Sequence, residues 1–214
     1  MPMTKTIAIA IDGPAASGKG TLARRLASDL NLRYLDTGSL YRAVGVATLR
    51  AGGDPADPAA ATKSAETLDI EKYSSSDLRS EAAGNAASKV AAIPGVRAAL
   101  LDYQRRFAAQ APGAVLDGRD VGTVVLPAAD VKIFVKADFD VRLARRVAEL
   151  RQGGQTIIES RVREDMAARD ARDSNRSVAP LVPADDAWIL DTSAMNADQA
   201  FEAAKAHIAS KLKA

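Results

Sequence analysis

Residues 6–21 read Thr-Ile-Ala-Ile-Ala-Ile-Asp-Gly-Pro-Ala-Ala-Ser-Gly-Lys-Gly-Thr, and the order of residue types there decides the architecture. Thr6 to Ile11 is short, apolar and rich in β-branched side chains, the composition of a strand buried on both faces. Asp12, Gly13 and Pro14 stop it. Leu22, Leu26 and Leu30 then recur every four residues beside Ala23 and Ala27, which predicts a helix over Lys19–Asn31. The turn between them, Gly13-Pro14-Ala15-Ala16-Ser17-Gly18-Lys19, has the GxxxxGK spacing. Glycines let such a turn wrap with its N–H groups pointing inward, and the helix start adds a dipole that favours phosphate. Lys19 is placed to reach the outer phosphates of a nucleotide.

Working outward, the pattern of strand followed by helix repeats. Arg33–Leu35 reads as a strand and Ser39–Ala51 as a helix closed by Gly52-Gly53. Residues 54–83 carry the weakest pattern and are expected to be a partly helical excursion from the core. Helices follow over Asn85–Ala92 and Val96–Gln110, on either side of Pro94-Gly95. Ala114–Leu116 and Val131–Val135 read as buried strands. Asp138–Arg151 reads as a helix with Val141, Ala144, Val147 and Ala148 on its apolar side. A charged helix over Glu159–Asp173 follows Gly153-Gly154, and Trp188–Leu190 and Ala197–Lys213 give a last strand and a closing helix. Alternating strands and helices predict an α/β fold with a five-stranded parallel sheet covered on both faces. Ligands of such sheets gather beyond the carboxyl ends of the strands. Asp12-Gly13, Asp36-Thr37-Gly38, Asp117-Gly118-Arg119-Asp120 and Asp191-Thr192 all fall there, so four polar turns converge on one rim.

Composition narrows the chemistry. The 214 residues, 47% hydrophobic and 26% charged, suit one globular domain with a substantial core. Lys and Arg number 29 against 27 Asp and Glu, a balance that gives no reason to expect a nucleic-acid partner. Arginines nevertheless crowd between Arg142 and Arg176, which points to a small polyanion such as a nucleotide. There is no cysteine, which removes disulfides, thiolate nucleophiles and Cys-based metal sites. The lone histidine, His207, reads as a helix residue beside the apolar positions Phe201, Ala204, Ile208 and Leu212, away from any catalytic pattern. No stretch has the length of a transmembrane helix and no signal peptide is evident, so a cytoplasmic protein without membrane partners is expected.

The remaining candidates are oxygen donors and arginines. Asp117 follows a strand, where a carboxylate holds Mg²⁺ through its water shell, although acidic residues also occur there as turn formers. Arg42, Arg119, Arg169, Arg172 and Arg176 carry the planar fork that binds phosphate at two points. Helical spacing puts Arg169, Arg172, Asp173 and Arg176 on one face. That face is either a solvated, ion-paired surface or, beyond the Gly153-Gly154 hinge, a mobile lid whose arginines meet the transferring phosphates. Phosphoryl transfer needs oxygens held in line, charge neutralised and water excluded, with little covalent help. On this reading Lys19, Mg²⁺, Arg119, Arg169, Arg172 and Arg176 stabilise charge, and no histidine base is required.

The quoted segments also carry a resemblance. Where GxxxxGK is usually followed by Ser or Thr, this chain has Gly20 and then Thr21, the ending that nucleoside monophosphate kinases use. IDGPAASGKGT (11–21), LDTGSLYR (35–42), NAASKVAAIPGVR (85–97), LDGRDVGTVV (116–125), VKIFV (131–135) and RDARDSNRSVAPL (169–181) resemble the bacterial cytidylate kinase family over nearly the whole chain. The resemblance implies transfer of phosphate from ATP to CMP or dCMP by a monomer. Gly13, Pro14, Ala15, Ala16, Ser17, Gly18, Lys19, Gly20 and Thr21 would bind ATP, with Mg²⁺ at Thr21 and, through water, Asp117. Ser88, Arg97 and Asp120 match the positions that recognise cytosine, and Arg169 and Asp173 those around the ribose. Arg42, Arg119 and Arg176 match those on the CMP phosphate, and Thr37 keeps a hydroxyl where the family often has Ser. A core of residues 1–39, 98–150 and 177–214 would carry a monophosphate-binding excursion over 40–97 and a lid over 151–176. The family's usual antiparallel insert is expected to be trimmed, because Glu71 to Gly84 is short and polar. Two rivals remain at this point: a kinase of another monophosphate such as UMP, and a P-loop ATPase or regulatory protein without an acceptor.

Overall fold

Five short parallel strands form one sheet in the order β2-β3-β1-β4-β5 in the computed structural model, which describes residues 6–154 and 156–213. The first five residues of the expected core segment, Gln155 of the expected lid and Ala214 lie outside the described residues. The strands are β1 (Ile7–Asp12), β2 (Arg33–Asp36), β3 (Gly113–Gly118), β4 (Val131–Lys136) and β5 (Trp188–Asp191). The central strand β1 pairs with β3 on one side and β4 on the other, so the residues that leave it, Asp12 and Gly13, stand at the middle of the rim. Gly13 is the only residue type that fits there. Its φ is 152°, and a Cβ would lie 2.1 Å from the Val135 carbonyl oxygen.

Both faces of the sheet are buried, as the unbroken apolar runs require. Ile9 and Ile11 of β1 point to one face, where they meet Leu22 and Leu26 of α1 (Lys19–Asp29) and Phe201, Ala204 and Ile208 of α9 (Ala197–Leu212). Ala10 points to the other, against Leu40 and Val44 of α2 (Thr37–Arg50) and Val96 and Leu100 of α6 (Pro94–Ala109). A third cluster joins α7 (Phe139–Gln152) to α8 (Glu159–Asn175) through Leu143, Val147, Leu150, Val162 and Met166. Each fully buried leucine or isoleucine contributes about 2 kcal/mol, so these clusters fix α1, α2 and α8 against the rim.

Several boundaries differ from the sequence expectation for local reasons. α2 starts at Thr37 because the Asp36 carboxylate accepts from the Ser39 N–H at 3.1 Å. The expected helix over Asn85–Ala92 is α5 (Glu81–Val90), started earlier by Ser80, whose hydroxyl accepts from the Ala83 N–H. α6 begins at Pro94 itself, since proline at the first helical position gives up no hydrogen bond. The weakly patterned excursion holds α3 (Pro58–Glu66), a single 3₁₀ turn at Ile70–Lys72 and α4 (Ser75–Arg79); no strand lies in 71–84 among the described residues. The apolar side assigned to α7 is corrected. Ala144 and Ala148 are exposed and Val141 half-buried, while Arg142, Leu143, Val147 and Leu150 are buried. Leucines displace alanines from the core, and Arg142 turns inward to meet partners distant in sequence. Leu212 is likewise 38% exposed rather than part of the α9 seam. His207 is half-buried and stacks on Trp188 with ring centroids 4.4 Å apart. A π-helical turn at Val121–Val125, directly after β3, has no counterpart in the sequence reading.

Candidate active site at the carboxyl edge of the sheet

The loop from Gly13 to Lys19 is held from outside by its carbonyl groups. Arg142 Nη1 donates to the Ala15 carbonyl at 3.2 Å, and the Thr192 hydroxyl and Arg145 Nη1 donate to the Ser17 carbonyl at 3.0 and 3.4 Å. Ala16 and Gly18 adopt positive φ, 58° and 90°. Engaging carbonyls from outside leaves the N–H groups of such a loop available to attract phosphate. The Ser17 hydroxyl is buried with no hydrogen-bond partner.

Lys19 stands between two cavities and lines both. Its Nζ lies 3.9 Å from Asp117 Oδ2, and burial, followed by the nearby Arg119, pushes its ammonium down to about 8. Asp117 accepts from the Tyr34 hydroxyl at 2.7 Å, and burial raises its carboxyl above the usual range. The Thr37 hydroxyl donates to the Asp117 carbonyl at 2.8 Å, joining β3 to the start of α2. Asp36 accepts from Arg42 Nη2 at 2.5 Å. Burial works to raise Asp36, but Arg42 and Lys19 outweigh it and hold the carboxyl low.

The outer cavity, about 620 Å³, runs from Gly18 and Thr21 past Arg24 and Arg145 to Thr192 and Asn196. Thr21 opens into it. Thr21 follows Gly20, where a Cβ would come within 3.6 Å of Asp117 Oδ2. Thr21 and Asp117 both offer oxygen, the donor that magnesium takes. No group of three or more His, Cys, Asp or Glu forms a cage among the described residues. The donor set therefore fits Mg²⁺ held by one or two protein oxygens together with water and phosphate.

The inner cavity, about 150 Å³, is walled by α2, α5, the end of β3 and α8. It gathers Thr37, Arg42, Ser88, Arg119, Asp120, Arg169, Asp173 and Arg176 from four separate stretches of sequence. Asp173, 4% exposed, accepts from the Ser88 hydroxyl at 2.9 Å and from Arg119 Nε at 3.0 Å. Burial opposes its charge, yet Arg119 and Arg169 hold the carboxyl low. Asp120 is paired with Arg97 and, at 3.3 Å, with Arg176. Arg169 is 3.9 Å from Asp173, and its Nε is buried without a hydrogen-bond partner. Burial, then Arg119, lowers its guanidinium to about 10. An orphaned buried donor among crowded cations marks a place built for an anion.

Two candidates stand outside this wall. Arg97, 7% exposed, lies behind Asp120 and also donates to the Ala91 carbonyl at 3.3 Å. Arg172 faces α5, donating to the Ser88 hydroxyl and to Asn85 Oδ1, each at 3.2 Å, and lines neither cavity. Sequence reasoning passed over Arg142, Arg145, Tyr34 and Tyr41. The crowding of arginines between 142 and 176 was the available signal for the first two; nothing local marked the tyrosines.

A sequence model of the family described as Cytidylate kinase matches residues 9–210. The chain is 61% identical over 206 residues to a cytidylate kinase of Paramagnetospirillum magneticum, covering 95% of this chain and 98% of the relative. It is 60% identical over 200 residues to a cytidylate kinase of Rhodospirillum rubrum, covering 92% and 94%. In fold it is similar to the crystal structure of an uncharacterized protein from Eubacterium ventriosum, with TM-score 0.57 and 16% identity over 96% of this chain and 99% of that one.

Proposed function

The chain belongs to the cytidylate kinase family, and from that premise we infer that it transfers the γ-phosphate of ATP to CMP or dCMP. One observation carries the assignment of the two sites: Lys19 lines both a large outer cavity and a small inner one, so one residue borders the two. ATP occupies the outer cavity with its phosphates in the Gly13–Thr21 loop, and the monophosphate occupies the inner one.

The acceptor's phosphate meets Arg42, Arg119 and Arg176, with Thr37 holding the backbone beside Asp117. Arg169 and Asp173 take the ribose. Ser88 and Asp120 face the base, where the Asp120 carboxylate accepts from the amino group of cytosine and Arg97 holds Asp120 from behind. A buried carboxylate acceptor discriminates against a carbonyl at the same place, which disfavours UMP. Lys19 and Arg169 stabilise the transferring group, and Arg172 ties the lid to α5. Magnesium, when bound by Thr21 and through water by Asp117, neutralises charge on the donor phosphates. The acceptor phosphate arrives already ionised, so the attacking oxygen needs no base. Residues 40–97 act as the monophosphate-binding excursion and 151–176 as the lid, on a core of 1–39, 98–150 and 177–214. The protein acts as a cytoplasmic monomer.

ADP release from ATP and Mg²⁺, measured with and without CMP, tests this reading. It requires release to depend on CMP; equal release without an acceptor would leave a P-loop ATPase in its place.

A further inference from the structure

Asp12, the last residue of β1, lines neither cavity and is 5% exposed. Its carboxylate has two backbone partners: Oδ1 accepts from the Val121 N–H at 2.8 Å and Oδ2 from the Gly122 N–H at 2.7 Å, across 109 and 110 residues of sequence. Those N–H groups open the π-helical turn at Val121–Val125. The far end of that turn is held by Arg105 of α6, which donates to the Val125 carbonyl at 3.0 Å and the Val124 carbonyl at 3.1 Å. The turn's unpaired N–H groups thus meet an anion and its unpaired carbonyls a cation, the pairing that peptide dipoles favour. A Cβ at Gly122 would be crowded, coming within 3.2 Å of Lys132 Cδ and 3.4 Å of Asp12 Oδ2.

Arg119 and Asp120 are the two residues between β3 and this clamp. On their near side Gly118 is in register with Asp12 in the β1–β3 pairing, and Thr37 holds the Asp117 carbonyl. On their far side Asp12 holds the next two amides. Burying an acid is costly unless it is paired, and among the described residues the hydrogen bonds it accepts are those from the two amides. A carboxylate offers two acceptors and no donor. An asparagine in the same place would offer one acceptor and turn an NH₂ toward a second N–H. Gly13, the first residue of the phosphate loop, follows directly.

We propose that Asp12 is a positioning residue for the acceptor site: it fixes the backbone of Arg119 and Asp120 against the strand that leads into the phosphate loop. It sets the spacing between the loop that holds the donor and the pair that holds the acceptor. The proposal rests on the reading of the inner cavity as the CMP site.

Its test is steady-state kinetics at pH 8 of Asp12→Asn and Arg105→Met with CMP and ATP varied separately, together with thermal midpoints. Loss of one charge-assisted hydrogen bond predicts a rise of about tenfold in the KM for CMP in Asp12→Asn, with the KM for ATP within about twofold of wild type. Arg105→Met shifts the CMP constant in the same direction by a smaller factor. A CMP constant unchanged in Asp12→Asn, or CMP and ATP constants that rise equally while the thermal midpoint collapses, overturns the proposal. If Asp12→Asn does not fold, Arg105→Met decides: a CMP-selective rise supports the clamp, and an unchanged CMP constant overturns it. A wild-type protein without CMP-dependent turnover would sink the kinase reading itself. An active wild type with unaltered variants sinks this proposal alone.

Discussion

The Ser88 hydroxyl of α5 donates to the Asp173 carboxylate of α8 at 2.9 Å, across 85 residues of sequence. The second oxygen of the same carboxylate takes Arg119 Nε at the end of β3. One buried acid therefore joins α5, α8 and the sheet edge at the inner cavity.

Asp173→Ala removes that junction and leaves Arg119 without its carboxylate partner. The KM for CMP should rise at least tenfold, while the affinity for ATP, whose cavity Asp173 does not line, stays within about threefold. Titration calorimetry with each nucleotide separates the two. Equal losses for both would show that α8 serves the donor side.

Arg97 and Asp120 are both buried, with side chains 8% and 7% exposed. Removing one partner of a buried pair strands the other charge. Arg176 remains beside Asp120 at 3.3 Å, so Arg97→Met should cost about 3 kcal/mol, the low end for such pairs. Denaturant unfolding measures this directly. The same variant should narrow the preference for CMP over UMP, and a preference that is unchanged would mean Arg97 does not set Asp120.

Arg142 spans three elements. It donates to the Ala137 carbonyl at 3.0 Å, the Ala15 carbonyl at 3.2 Å and Asp170 Oδ2 at 2.7 Å, linking α7, the phosphate loop and α8. Arg142→Met keeps the apolar stem and deletes those bonds. Loosening the loop should raise the KM for ATP several-fold, roughly the effect of 1–2 kcal/mol of lost hydrogen bonding, with the KM for CMP less affected. A change confined to CMP would contradict this.

Burial pushes the Asp12 carboxyl up to about 7, against the two N–H bonds that favour its charged form; Asp120 adds to the rise and Lys19 opposes it. In the unfolded chain an aspartate titrates near about 4. Between those values the folded protein binds more protons than the unfolded one. The stability that protonated Asp12 contributes is therefore fully present below about pH 4 and is lost as pH rises through about 7. Asparagine cannot ionise, so the midpoint of Asp12→Asn relative to wild type should be more favourable at pH 8 than at pH 5. A difference that is the same at both pH values would contradict the raised carboxyl.

Local signals made the sheet legible. Strands buried on both faces, glycines at the rim and leucines every four residues are short-range patterns, and they placed β1, the phosphate loop and α1 within a residue or two. What failed depended on partners far away. The inward turn of Arg142 is set by Ala15 and Asp170, and the turn at Val121–Val125 by Asp12 and Arg105. The short helices between 54 and 83 hang on single capping side chains such as Asp57 and Ser74 in an alanine-rich stretch. Within the site, the arginines that line the inner cavity were legible from charge and position. Ser88 and Arg97 were not, since a small hydroxyl on an alanine-rich helix and one more arginine carry no local mark; the family resemblance alone nominated them. Arg172 shared a helical face with Arg169 and Asp173, yet helical spacing could not say that its guanidinium would reach α5 instead of the cavity.

The central claim is that the inner cavity is a cytidine monophosphate site served by Lys19 and ATP. The most direct test is kcat/KM for phosphate transfer from ATP, in the presence of Mg²⁺, to CMP, dCMP, UMP, AMP and GMP under one set of conditions. The account predicts that CMP and dCMP lead, with UMP well below them and the purine monophosphates lower still. A preference for UMP or for a purine monophosphate would contradict the roles given to Ser88, Arg97 and Asp120.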